Sequence, residues 1–505
     1  METKENLFLL IKSLRKPEKR FFKVYSGKME SNYIRLFDAF DSMKDYDEKA
    51  FKRKFSKEQF INNFAYNKNY LYNLILNSMR DLYADSSTVK KLLNKISHVL
   101  FLNSKGLYNQ SNKLLDKALK EASRIEHHEL MLQLYLLRLG NIISMGRPVN
   151  QDAVTDEIFK QQTEILKLIS NKYDYNSLHR EFFILFKRLG TARSAEDMKK
   201  FDLIMKHEFF RDESRALSFD ARVKFYHDNV MYSYQKGDLN SAFTSAEKYL
   251  QYTESKPDLI NENMQHYLVA LDNVLTLSRI LRNKKVFENT LIKLRKQPLG
   301  EFGLTNLLLE ELIWSVDGLE LERAEKTLKI LSADYYSKKI IIDAQDPYFW
   351  GYICFTGAML NIILEKYEES LKWINHIRNL DESQIDTLYS ILSKILNLII
   401  HFELKNYDLL ESQIKSTYRF LIKSKRVSKF EELFLNYLKA QLKSKSQKDT
   451  FELLGLFIND LRKLENDEYE GRVFKSFDLI SWLESKIKRK PLIEILKGKV
   501  SSASL

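Results

Sequence analysis

Apolar residues recur along this chain at three- and four-residue intervals, with polar residues between them. That is the period of one helix face, not the alternation of a half-buried strand. Near the start, Tyr33, Leu36, Phe37 and Phe40 share a face, and a short helix carries Phe51 and Phe55. Leu71, Leu74, Ile75, Met79 and Leu82 then form a longer stripe. Pro17 suits the first turn of a helix running KPEKRFFKVYS, where its missing N–H costs nothing. Asp85-Ser86-Ser87-Thr88 breaks the pattern and offers caps to the next helix. Residues 1–85 are therefore expected to form a small N-terminal helical domain, followed over 86–505 by helical hairpins.

Within the second region a mark recurs. An aromatic or Leu opens a helix and a small or apolar residue follows three positions on: Leu239/Ala242, Phe287/Thr290, Leu321/Ala324, Tyr367/Ser370 and Tyr407/Leu410. Its intervals are 48, 34, 46 and 40 residues. Such recurrence predicts a stack of helix pairs, an α-solenoid. Tyr108 with Ser111 and Ala118 follows a turn at Lys105-Gly106-Leu107, and Gln235 to Leu239 makes another turn. Between Ile125-Glu126-His127 and Phe219 the register is irregular, with long helices expected over about Asp152–Asn171 and Tyr175–Leu189. Near the end, helices are expected over Phe434–Lys443, Thr450–Leu464 and Ser476–Lys488, with a last capping helix from Pro491 and fraying over Ser501–Leu505.

Composition strengthens the helical reading. The 505 residues contain 14 Gly and 6 Pro, where an average chain would carry roughly 35 and 25. Ile340-Ile341-Ile342, just before Pro347, is the one β-branched run of note. The single Cys354 excludes an internal disulfide and a cysteine metal knuckle, and suits a reducing cytoplasm. The N-terminal apolar stretch Leu7–Ile11 is too short for a signal peptide. Tyr348–Leu364 is the densest apolar stretch, but it falls short of a membrane span and is broken by Gly351, Thr356 and Asn361.

At Gly237, Ala242 and Pro257 the chain resembles tetratricopeptide-repeat (TPR) proteins. Tyr226 stands where that family has a large aromatic, and Tyr249 replaces a small residue. The resemblance covers about Val89 to Asp460. It implies an all-α protein, a right-handed α-solenoid of TPR-like hairpins behind the small N-terminal domain. The opening LIKSLRKPEKRFFKVYS, with NYIRLFDAF and NKNYLYNLILNSMRDLY, resembles the start of a group of uncharacterised bacterial TPR-like proteins. That implies a bacterial cytoplasm and no particular activity. In TPR proteins the first helix of each pair lines the concave face. The matching positions are Lys224, His227, Met231, Tyr234 and Gln235, a basic, aromatic and polar mix suited to a peptide or an acidic C-terminal segment.

Charge adds a second candidate. Net charge is +13, and residues 1–90 hold 18 Lys and Arg against 12 Asp and Glu. Lys16, Lys19, Arg20 and Lys23 fall within about a 100° arc, opposite Phe21, Phe22 and Tyr25, and Lys52, Arg53, Lys54 and Lys57 cluster nearby. Asn69, Asn73, Asn77 and Arg80 line one face, and Asn and Arg are residue types that read base edges. Lys16, Lys19, Arg20, Lys23, Lys52, Arg53 and Arg80 thus form a candidate anion or nucleic-acid patch. The same spacing is also that of an ordinary amphipathic helix with lysines on its wet side.

Catalytic signatures are missing: no HExxH, no Gly-x-Ser-x-Gly elbow and no phosphate-binding Gly-rich loop. No cofactor or metal site is expected, and Cys354 lies in an apolar helix as an inert thiol. The sequence therefore predicts a non-enzymatic scaffold or adaptor that binds a protein or peptide in a groove, without a membrane. The alternative is a nucleic-acid-binding regulator, with an N-terminal DNA-binding domain and a solenoid that senses a partner or oligomerises.

Overall fold

A computed structural model describes residues 5–26, 31–146, 151–336, 347–380, 387–423, 429–444, 446–465, 467, 470–471 and 477–503. Ile340-Ile341-Ile342 and the last two residues lie outside these. Among the described residues every regular element is a helix, and no helix is long and apolar enough to cross a membrane. Backbone contacts divide the chain into two units, Met1–Ile169 and Ser170–Leu505.

The first unit begins with α1 (Asn6–Ser13), α2 (Lys16–Ser26), α3 (Ser31–Ser42), α4 (Glu48–Lys54) and α5 (Phe64–Leu82). These enclose a core of their own, built from Ile11, Phe22, Leu36, Phe37, Phe40, Phe51, Phe60 and Leu71. Aromatic rings fill it: Phe40 stacks on Phe51 with centroids 4.6 Å apart, and Phe22 on Phe37 at 4.7 Å. The helices over residues 6–82 thus share one core. The unit continues with α6 (Thr88–Ser104), α7 (Tyr108–Arg124), α8 (His128–Ser144) and the first half of α9 (Gln151–Leu189). The unit boundary falls inside α9, not at residue 85. The two helices expected over 152–189 are one continuous helix of 39 residues. No Gly or Pro interrupts it, so nothing in Asn171-Lys172-Tyr173-Asp174 forces a break.

The second unit contains α10 (Ala195–Met205) and then helices packed in neighbouring pairs. These are α11 (Phe219–Gln235) with α12 (Leu239–Glu254), and α14 (Met264–Ile280) with α15 (Lys284–Arg295), the short α13 (Pro257–Glu262) lying between the pairs. Next come α16 (Glu301–Asp317) with α17 (Leu321–Tyr336), α18 (Pro347–Ile363) with α19 (Tyr367–Arg378), and α20 (Thr387–Glu403) with α21 (Tyr407–Lys423). The unit closes with α22 (Lys429–Lys443), α23 (Gln447–Glu465), α24 (Leu479–Lys488) and α25 (Leu492–Ala503). One core runs from α16 to α25 around Trp350, Phe355, Ile399, Phe434 and the fully buried Trp482. A second holds α9, α10 and α11 together through Tyr175, Phe182, Phe201 and Phe210. Arg193 Nη2 reaches Glu431 Oε1 of α22 at 2.6 Å, tying distant parts of the unit.

The hairpin turns share one construction. The last helical turn ends, one residue takes a left-handed backbone, and the next N–H bonds back five residues. Thus Leu107 N–H donates to Leu102 O, Asp238 to Ser233, Asn283 to Ser278, Glu320 to Ser315, Lys366 to Asn361 and Asn406 to His401, at 2.8–3.0 Å. This is a Schellman closure, which satisfies carbonyls that a helix end leaves open. The left-handed residue is Gly at 106 and 237, but Arg282, Leu319, Glu365 and Lys405 elsewhere. The second helix starts two residues later, and its fourth residue is completely buried: Ser111, Ala242, Phe287, Ala324, Ser370 and Leu410. Aligned on the turn, Phe287 occupies the place that the sequence mark assigned to Thr290. It fits because its ring stacks on Trp314, with centroids 4.2 Å apart.

Candidate functional site

The first helices of three successive hairpins, α11, α14 and α16, pack side by side. Each carries a mostly half-buried stripe at three- and four-residue spacing. On α11 it is Asp220, Lys224, His227, Met231 and Tyr234. On α14 it is Val269, Asp272, Thr276 and Arg279, and on α16 Asn306, Glu310, Ile313 and Asp317. Lys224, His227, Met231 and Tyr234 therefore share a face. Gln235 leaves it: its side chain is fully buried and accepts the Ala192 N–H at 2.7 Å.

Hydrogen bonds cross this face from helix to helix. Thr276 Oγ1 donates to Glu310 Oε1 at 3.0 Å, and Arg279 Nε donates to Glu310 Oε2 at 2.7 Å. The Asn306 amide donates to Asp272. Among the described residues Asp272 makes no ion pair; burial, with Glu310 alongside, pushes its carboxyl up to about 7 against the pull of Arg279. Burial also raises Asp317, against the pull of Arg279 and Arg282. At Asp220 burial works in the same upward direction, but His266 and Lys172 outweigh it and hold the carboxyl low. Beside Asp272, the Asn273 Nδ2 is buried without a hydrogen-bond partner.

At the α11 end lies a compact titratable cluster. His179 of α9 places Nδ1 2.6 Å from Oδ1 of Asp228, which is completely buried. The His179 and His227 rings are 5.3 Å apart at 60°, and the Tyr249 ring lies 6.3 Å from His227. Burial, then the charges of His179 and Lys224, push the His227 imidazole down to about 3. Burial raises the Asp228 carboxyl and lowers the Lys224 ammonium. Packing of Tyr175 and Phe182 against α10 and α11 fixes α9 so that His179, between them, faces α11. The sequence singled out His227 but neither His179, which sits in the irregular stretch, nor Asp228. Half a hundred residues separate His179 from its partner, and no local motif links them.

The N-terminal cations are arranged differently. Lys19 pairs with Asp41 at 2.5 Å, Lys23 with Asp38 at 2.6 Å, Lys52 with Glu48 at 2.8 Å and Arg80 with its neighbour Asp81 at 3.0 Å. Lys16, Arg20 and Arg53 are exposed. Asn69, Asn73 and Asn77 share an exposed face, and Asn73 Nδ2 donates back to the Asn69 carbonyl at 2.9 Å. Four of the seven proposed phosphate contacts thus already hold a carboxylate of this same chain. Cys354 is buried, and burial raises its thiol well above the ordinary value.

No protein-family model, no curated protein and no solved structure matches the chain.

Proposed function

We propose that this chain is a non-enzymatic binding protein whose hairpins form a right-handed, TPR-like α-solenoid. In this reading the stripes of α11, α14 and α16 line a groove for a polypeptide segment of a partner. The recurring Schellman turn and the buried fourth residue support a repeat. The in-register polar stripes support a recognition face, since a buried wall would carry apolar residues instead.

The observation that carries the reading is Asp272, which stands on the α14 stripe and, among the described residues, makes no ion pair, while the next residue, Asn273, leaves a buried Nδ2 unmet about 100° further round the helix. Buried polar groups are ordinarily satisfied, and an unmet one costs free energy that a ligand recovers. Asp272 suits a Lys or Arg of the bound segment. Along the stripes the balance of Asp220, Asp272, Glu310 and Asp317 against Lys224 and Arg279 favours a basic segment over the acidic one expected from Lys224 and His227 alone.

Selection of random displayed peptides on the full chain tests this. Enriched peptides should carry Lys or Arg, and Asp272→Lys should abolish their binding while leaving the helical content unchanged. Enrichment of acidic peptides, or binding indifferent to Asp272→Lys, would overturn it.

A further inference from the structure

We propose that His179, His227 and Asp228 bind one divalent transition-metal ion, of which Zn2+ is the best fit. Each residue offers one ligand atom, and these atoms all lie within 4.8 Å of one another. In a tetrahedral site the ligand atoms stand about 2.0–2.1 Å from the metal, hence roughly 3.4 Å from each other. A closing movement of at most about 1.4 Å, within reach of imidazole rotation, completes the set.

The carboxylate supplies the second observation. Asp228 is completely buried and its Oδ1 is taken by His179, yet its Oδ2 has no hydrogen-bond partner. A buried carboxylate oxygen with no partner is an unmet acceptor, and a metal ion is one group that satisfies it. Lys224 lies one helical turn away, but its ammonium makes no ion pair with Asp228 within 4.0 Å among the described salt bridges. A divalent ion on Oδ2 and the two imidazoles meets that need directly. Two imidazoles and one carboxylate form a borderline donor set that leaves an open position. Nitrogen donors favour Zn2+, Co2+ or Ni2+ over Mg2+ or Ca2+, which take oxygen ligands.

The ligands come from two helices, α9 and α11. The ion would therefore fasten the second half of α9 to the polar face, beside Lys172–Asp220, which joins the same helices at 3.1 Å. This proposal is independent of peptide binding, because it rests on the α9–α11 contact and not on Asp272 or Asn273.

The test uses the full chain, stripped with chelator and dialysed, with Zn2+ and with Co2+ as its spectroscopic stand-in. One equivalent of Co2+ should give visible ligand-field absorption, displaced stoichiometrically by Zn2+. Zn2+ should also raise the melting temperature. His179→Gln, His227→Gln and Asp228→Asn should each weaken binding at least ~100-fold, the upper end of what even supporting residues of metal sites contribute. His98→Gln, on the exposed face of α6, serves as the control and should bind as the parent does. His179 is partly exposed, so His179→Gln is expected to fold even where Asp228→Asn does not. No stoichiometric Co2+ spectrum from the parent, or an unchanged spectrum in folded His179→Gln and His227→Gln, overturns the proposal.

Discussion

Two carboxylates at the rim of the N-terminal core and three on the packed helices of the second unit behave in opposite ways. In the N-terminal unit Glu48 is held down at about 2 by hydrogen bonds from Lys52 and Lys68, and Glu18 at about 2 by Arg15 and Tyr83. On the polar face of the second unit, burial lifts Asp272 to about 7 and raises Asp228 and Asp317. The difference is one of placement. Glu18 and Glu48 rim an aromatic core and meet cations in water. Asp272 and Asp228 stand on packed helix faces, where neighbours remove water faster than they supply positive charge. Charge at Glu18 and Glu48 rims an aromatic core, whereas Asp272, Asp228 and Asp317 are kept on packed helices against the pull of burial.

The first way to break this comparison is through the N-terminal core itself. Phe40 is completely buried and packs on Phe51, Phe64 and Tyr46. Phe40→Ala should destabilise the unit by ~3–5 kcal/mol, the usual cost of emptying an aromatic site. Glu48→Gln, which removes two ion pairs at a partly exposed rim, should cost only about 1 kcal/mol at pH 7. Urea unfolding of both variants checks the ratio. Comparable losses would mean that charge, not the core, holds the unit.

The pH dependence gives the next largest effect. An unfolded aspartate releases its proton near about 3.9, whereas Asp272 keeps its proton to about 7. Between those values the folded chain binds the extra proton, so this group lowers stability as pH rises through the window and leaves a constant penalty above it. Asp272→Asn should therefore gain roughly 4 kcal/mol at pH 8 and little at pH 4. Glu48 acts in the opposite sense: its contribution is full above about 4.5 and is lost as pH falls towards 2. Urea midpoints at pH 4 and pH 8 decide the matter. An equal gain from Asp272→Asn at both pH values would show that burial does not govern Asp272.

What the sequence revealed follows the same division. Helical periodicity exposed the N-terminal core residues directly, because Leu36, Phe37, Phe40, Leu71 and Ile75 carry their own signal. The hairpins were legible at Tyr108, Leu239, Leu321, Tyr367 and Tyr407, each the first residue of its helix. The turns were legible only where glycine marks them, at Gly106 and Gly237. At Arg282, Leu319, Glu365 and Lys405 the same left-handed backbone is taken by residues with no such reputation. That is how the mark at Phe287 slipped by three. The His179–Asp228 pair was invisible for a different reason, since it depends on how α9 packs and not on spacing. The hidden turns make a prediction of their own. A non-glycine residue in the left-handed region pays roughly 1–2 kcal/mol, part of which glycine's greater unfolded-state freedom offsets. Leu319→Gly and Glu365→Gly should each stabilise by ~0.5–1 kcal/mol, read as a rise in urea midpoint, whereas Gly237→Ala should destabilise by a similar amount. Loss of stability on Leu319→Gly would show that its side-chain packing, not its backbone, sets the turn.

The smallest effect belongs to the exposed ion pairs over the N-terminal core. Lys23 and Asp38 are joined at 2.6 Å, yet their side chains remain 42% and 50% exposed. Water screens such a pair, and holding two flexible side chains in one geometry spends entropy, so the coupling should be below ~0.5 kcal/mol. A double-mutant cycle with Lys23→Ala and Asp38→Ala measures it. The same pair bears on nucleic-acid contact. If α2 met phosphate, Asp38 and Asp41 would compete for Lys23 and Lys19, so Asp38→Asn with Asp41→Asn should increase a salt-dependent affinity for duplex DNA. An unchanged, negligible affinity would place these lysines with the solvated rim. A coupling energy well above the exposed-pair range would instead bring the N-terminal charges closer to those of the polar face, and the contrast between the two units would narrow.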